Sequence, residues 1–191
     1  MGQELIEEMK VYDFVDYVVG LSRLELQREF QTRTHATEQL MACEDYIFTR
    51  FNHNISEVYI GYTSFSVDLA NQEIGWRVCY PLIGIKDSWE FGAEQLKRKG
   101  IGTLATITAL SSLAFNLNID LTDENYSVLH NCVSDERIGQ LQGVGIEKDC
   151  DRPEIFEESL PTYYQKWLNY ANSKGFHFEI PQENVGGLMV A

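Results

Sequence analysis

The sequence predicts a mixed α/β fold from three patterns. Residues 58–67 are rich in β-branched and aromatic side chains, and residues 74–80 alternate cleanly, as strands do. Ser88 to Phe115 passes from a period-two run through a basic glycine turn into a helical pattern. Tyr163, Trp167 and Tyr170 recur at helical spacing near the C-terminal end.

In chain order, Met9 to Phe14 offers a weak first strand. Phe14, Val18 and Leu21 then form an apolar stripe, and Ser22-x-x-Glu25 has the form of a capping box for a helix running on to Phe30. Leu40, Cys43, Ile47 and Phe51 lie on one face of a second expected helix, Ala36 to Phe51. Strands are expected at Val58 to Val67 and at Ile74 to Tyr80, joined by a hairpin turn at Asp68 to Gln72, with Pro81 ending the second because proline has no ladder donor. Trp89, Phe91 and Ala93 alternate with Ser88, Glu90, Gly92 and Glu94 as a third strand. Leu104, Ile107, Leu110, Leu113 and Ala114 then mark an uncharged amphipathic helix that Asn116 and Asn118 break.

Asp120 to Glu124 is a polar turn, and Tyr126 to Val133 a further strand. Ser134 to Ile146 holds a helical register, and the acidic run Glu147 to Glu158 a solvated loop. Thr162 to Ser173 is the last helix, Phe176 to Ile180 an alternating last strand, and residues 182–191 a mobile tail.

The chemistry concentrates at Lys97-Arg98-Lys99-Gly100-Ile101-Gly102-Thr103. The first N–H groups of a helix have no partner within it, and the helix dipole puts partial positive charge there. A phosphate satisfies both, and glycine lets the backbone approach it. Against this stands the plainer reading, a charged turn before a core helix.

The segment 88–115 resembles the cofactor-binding unit of the GNAT acetyltransferase superfamily, which carries Arg/Gln-x-x-Gly-x-Gly/Ala after its fourth strand. Here Lys97 stands at the first position of that pattern. The resemblance implies a single GNAT-like domain over 1–191, with a mostly antiparallel sheet flanked by helices. It also implies that Lys97 to Thr103 hold the pyrophosphate of acetyl-coenzyme A or another acyl-coenzyme A. Glu90 is the candidate general base: family members often place a carboxylate on this strand, and partial burial raises a glutamate's pKa towards neutrality. Glu94 is the alternative base, and Gly92 the expected bulge.

The family's tyrosine acid has two possible registers. The helix directly after the Tyr126 strand puts Leu141 at that position. The later helix offers Tyr163, Tyr164 and Tyr170.

The net charge is −14 and the pI near 4.6. Such a chain is poorly suited to displacing counterions from nucleic acid, but an acidic surface attracts amines. No apolar run is long enough to span a membrane, and MGQELIEEMK has neither a signal-peptide apolar region nor a myristoylation site. Cytoplasmic location is therefore the expectation, with Cys43, Cys79, Cys132 and Cys150 as thiols. His35, His53, His130 and His177 are not at ligand spacing with them, so no metal site is expected.

The expected function is an N-acyltransferase moving an acyl group from acyl-coenzyme A to an amine on a small molecule or protein. The rival is a non-catalytic acidic interaction protein on the same fold, a DNA mimic or ligand sensor, favoured by Leu141 and the charge.

Overall fold

The computed structural model describes residues 11–31, 36–43, 45–55, 58–79, 82–85, 88–91, 96, 98–131, 135–149 and 155–179. At several of these, 36–43, 77–79, 82–85 and 88–91 among them, the description is of the backbone.

Two helices come first. Helix α1 (Val11–Gly20) buries Phe14, Val15 and Val18. Helix α2 (Arg23–Glu29) opens on the expected capping box: Ser22 Oγ accepts from the Glu25 N–H at 3.3 Å, and Glu25 Oε2 accepts from the Ser22 N–H at 2.8 Å. The start of the expected first strand, Met9 and Lys10, lies outside the described residues. The rest of it is helical, because Phe14, Val15 and Val18 share one helix face.

The expected helix Ala36 to Phe51 is not formed. Strands β2 (Ala36–Cys43) and β3 (Tyr46–Ile55) occupy it and pair antiparallel. Leu40, Cys43, Ile47 and Phe51 fit a helical stripe, but Thr49, Phe51, His53 and Ile55 alternate inward from Tyr46 onward, and all four are buried. Period two persists for longer than the period of 3.6, and the strand wins.

Strand β4 (Val58–Asp68) pairs with β3 and, through the expected hairpin, with β5 (Glu73–Cys79). The two-residue β1 (Phe30–Gln31) also pairs with β3. Strand β8 (Ser127–Asn131) lies parallel to β5, and β9 (Ile155–Ser159) antiparallel to β8. The main sheet runs β1-β3-β4-β5-β8-β9, with β2 also on β3. Its fold is a mixed, mostly antiparallel sheet flanked by α-helices.

Strands β6 (Leu82–Ile85) and β7 (Ser88–Phe91) form a separate two-stranded sheet. The expected strand at 88–94 therefore exists over Ser88–Phe91 but belongs to this hairpin, and residues 92–94 lie outside the described residues. Its partner 82–85 is too short to announce itself by alternation.

Helix α3 (Ile101–Leu117) joins the hairpin to β8. It is not amphipathic: Ile101 to Leu110, Ser112 and Leu113 are all buried, so it is covered nearly all round, as its uncharged sequence permits. Asn118, at φ +53°, ends it as a left-handed C-cap whose N–H bonds the Ala114 carbonyl.

Helix α4 (Asp135–Val144) follows β8, and α5 (Leu160–Ser173) follows β9. Ile155 to Glu158 of the expected acidic loop form most of β9, held by two apolar residues, the half-buried Ile155 and the buried Phe156, which pair with Asn131 and His130 of β8. Phe176 to Glu179 do not pair as a strand. Asn172 holds them instead: its Oδ1 accepts from the Phe178 N–H at 2.8 Å, and its Nδ2 donates to the Phe178 carbonyl at 2.9 Å. Ile180 and the tail lie outside the described residues.

The buried face of the sheet carries a continuous aromatic series. Phe51 meets Phe65, Phe65 meets Trp76, and Trp76 meets both His130 and Tyr163, with ring centroids 4.8–5.6 Å apart. Tyr163 then leads through Trp167 to Tyr170 along α5. Among the described residues no helix is long and apolar enough to cross a membrane.

Candidate functional site

The parallel pair β5/β8 fixes the candidate site. Its register covers three pairs, Glu73↔Ser127, Ile74↔Val128 and Gly75↔Leu129. The next residues, Trp76 and His130, meet through their rings, 5.2 Å apart, and the strands go on without pairing. A helix that connects parallel strands runs back against them, so the N-terminus of α3 lies towards the carboxyl ends of β5 and β8. In open α/β sheets that end is where crevices form.

The turn before α3 is docked on the α1–α2 corner. Lys99 Nζ donates to the carbonyls of Val19 and, at 3.0 Å, Leu21. These lie at the C-terminal end of α1, where carbonyls lack helical partners and a cation is favoured. Arg98 has φ +69° and an exposed side chain, and its carbonyl accepts from Arg23 Nη2. Lys97 lies outside the described residues.

Gly100 is the N-cap of α3, at φ +89°. A Cβ there would stand 2.6 Å from the Phe176 ring and 2.8 Å from Arg23 Nη1. Only glycine combines that backbone angle with so close an approach. Phe176 is kept there by a two-point clamp on the next residue. Gln27 Nε2 donates to the His177 carbonyl at 2.7 Å, and Gln27 Oε1 accepts from the His177 N–H at 2.8 Å.

Ile101, Gly102 and Thr103 form the first turn and are buried. Among the described residues no group accepts from their N–H groups. Beside them Arg23 lies 5.4 Å over the Phe176 ring, and its Nη1 is buried without a hydrogen-bond partner. Burial lowers the pKa of the guanidinium and Tyr170 opposes that, but an arginine stays charged in proteins. A cation and a helix N-terminus both attract anions, and here they stand side by side.

Sequence reasoning missed Arg23. Its only local signal is its place after Ser22, which explains a helix start and not a cation 75 residues away from Arg98 in the chain.

Glu90 lies in β7, opposite Ile83 of β6. Gly92 and Glu94 lie outside the described residues. The first tyrosine register corresponds to α4, where Leu141 is fully buried. In the second, Tyr164 Oη lies 3.5 Å from Ser111 Oγ, whereas Tyr163 is fully buried with its hydroxyl 2.5 Å from His130 Nε2. Burial, and secondarily the positive charge of Arg137, hold the His130 pKa well below its ordinary value, so this pair is a neutral core contact. No group of three or more potential metal ligands gathers among the described residues.

No family model matches the chain, and no curated protein is significantly similar to it in sequence.

Proposed function

We propose that the chain transfers an acyl group from acyl-coenzyme A to an amine. The observation that carries this reading is the first turn of α3, where three N–H groups of buried residues, without acceptors among the described residues, adjoin the unpartnered Nη1 of Arg23. A pyrophosphate supplies acceptors for both. The end of β5–β8 pairing after Gly75 and Leu129, towards the carboxyl ends where α3 begins, supports an entry for the rest of the cofactor. In this reading Gly100, Ile101, Gly102 and Thr103 bind through the backbone, with Arg98 beside them and Lys97 before them. Arg23 supplies the nearest charge, and Lys99 braces the turn from α1.

Isothermal calorimetry with acetyl-coenzyme A tests this. Gly102→Asp, which adds a carboxylate where the pyrophosphate sits, should abolish binding. Arg23→Gln should weaken it about 10–100-fold, since a hydrogen bond to a charged group contributes about 1.5–3 kcal/mol. Wild-type affinity in both variants, with circular dichroism unchanged, would reject the site.

Glu90 is the proposed base. Glu90→Gln keeps the shape and removes the proton acceptor, so turnover should fall about 10²–10⁴-fold. An unaltered pH–rate profile in that variant would return Glu90 to the status of a strand carboxylate.

A second reading, a ligand sensor or acidic interaction protein without turnover, is favoured by Leu141. A leucine fully buried at the expected acid position cannot protonate a thiolate. Coenzyme A binding with no thiol release across an amine panel is the result that reading expects.

A further inference from the structure

We propose that His53 is an acid-operated latch, which holds β1 and α2 against β3 while neutral and releases them on taking up a proton. His53 is only 1% exposed. Its Nε2 lies 2.6 Å from Thr63 Oγ1, and its Nδ1 is buried without a partner. An unpaired lone pair costs less than an unpaired N–H, so the favoured neutral tautomer carries its proton on Nε2 and donates to Thr63. A second proton would sit on Nδ1, with nothing to accept its bond. The latch has only two ways to relieve that: stay neutral or move out.

The element most easily displaced is the one resting on the ring. Phe30 lies 5.7 Å from the imidazole and is both the C-cap of α2 and half of the two-residue β1. β1 is an edge strand held at Ile55 and Asn54, and the register of β3 shifts between His53 and Asn54. Backbone pairing holds this edge strand at two residues only, next to a bulge, so its attachment depends on what the buried Phe30 side chain packs against.

No charged neighbour offsets the added charge. On β3, Arg50 lies over Tyr62, 4.4 Å from its ring centroid. On β4, the residues opposite His53 are Gly61 and, two further on, Thr63, while Asp68 at the far end binds Asn71. On α2, Arg23 is turned to Arg98 and Phe176, Glu25 to the Ser22 N–H, and Arg28 is exposed; Glu29 is the remaining carboxylate of that helix. None of them contributes to the His53 shift, which burial alone produces.

Burial lowers the His53 pKa from 6.5 to about 4. A released His53 titrates at its ordinary value, so attachment is fully favoured above 6.5 and is lost as the pH falls towards 4. Release would be felt at a distance, because α2 also carries Arg23, which touches the turn at Gly100.

Hydrogen exchange at pH 7.5 and pH 5.5, above the pI near 4.6, tests the latch in the intact chain. Corrected for intrinsic rates, opening of Leu26, Phe30 and Ile55 amides should rise about tenfold at the lower pH. His53→Gln, which takes up no proton, should show no such rise. If that variant fails to fold, wild-type histidine NMR decides: the His53 ring should remain neutral at pH 5.5. Three results overturn the proposal. One is unchanged protection in the wild type or an equal rise in the variant. Another is a rise shared by α3 amides such as Leu110, which marks global unfolding. The third is His53 titrating near 6.5 while β1 stays protected.

Discussion

Trp167→Ala should destabilise the fold by about 3–5 kcal/mol, the usual cost of emptying a large aromatic site. Trp167 is fully buried on α5, between the rings of Tyr163 at 6.2 Å and Tyr170 at 5.9 Å, with the Arg137 guanidinium 5.1 Å over its own ring. It ties the aromatic series of the sheet to the helices α4 and α5. Trp167→Phe gives the sharper comparison. The indole N–H is buried without an acceptor, and such a donor costs about 1–3 kcal/mol. Phenylalanine loses contact area but removes that donor, so its cost should stay well below that of alanine. Urea unfolding followed by circular dichroism reads both. Equal losses for Phe and Ala would mean that the N–H has an acceptor and that the site does not tolerate a smaller ring.

Gly100→Ala should cost about 2–5 kcal/mol, from two separable sources. A left-handed angle costs a residue with a Cβ about 1–2 kcal/mol, and forcing extra volume into a filled site typically about 1–3 kcal/mol. Gly145 isolates the first: it has φ +88°, and nothing stands within 4 Å of a Cβ there. Gly145→Ala should therefore show the angular cost alone, and the excess in Gly100→Ala measures how tightly Phe176 and Arg23 close on the turn. Thermal unfolding of the two variants side by side reads that difference. Identical shifts would show that the turn is open around Gly100.

The sequence disclosed the parts whose local signals agree. The capping box at Ser22 and Glu25, the β4–β5 hairpin, α3 and α5 each combine a periodic pattern with a start or stop signal, and each formed. It misled where two periods compete over a short stretch. Ile47 and Phe51 fit a helix as well as a strand, and the longer alternation through His53 and Ile55, with the partners β2 and β4, decides between them. Phe176 and Phe178 alternate as a strand would, yet side-chain clamps from Asn172 and Gln27 supply the bonds that a neighbouring strand would have given. For the candidate site, the glycine turn was visible because it is local. Arg23 was not, since its role depends on α2 reaching a turn far along the chain. The different duties of Lys99 and Arg98 were equally hidden: three adjacent cations look alike in sequence, and only the docking of α1 assigns one of them to carbonyls.

The parallel junction of β5 and β8 also bears on how the molecule is assembled in time. Strands β3, β4 and β5 follow one another with short connections and can zip up from local contacts. Joining Ile74 to Val128 must wait until the hairpin and the whole of α3 have been gathered between them. Closing so long a loop is entropically slow, and folding rate falls as contacts become more distant in sequence. The β3–β5 meander should therefore acquire exchange protection early during refolding and β8 late. The N-terminus of α3 would then meet the carboxyl ends of both strands only in the last stage, and a chain stalled before that stage would keep the β3–β5 meander without the parallel junction.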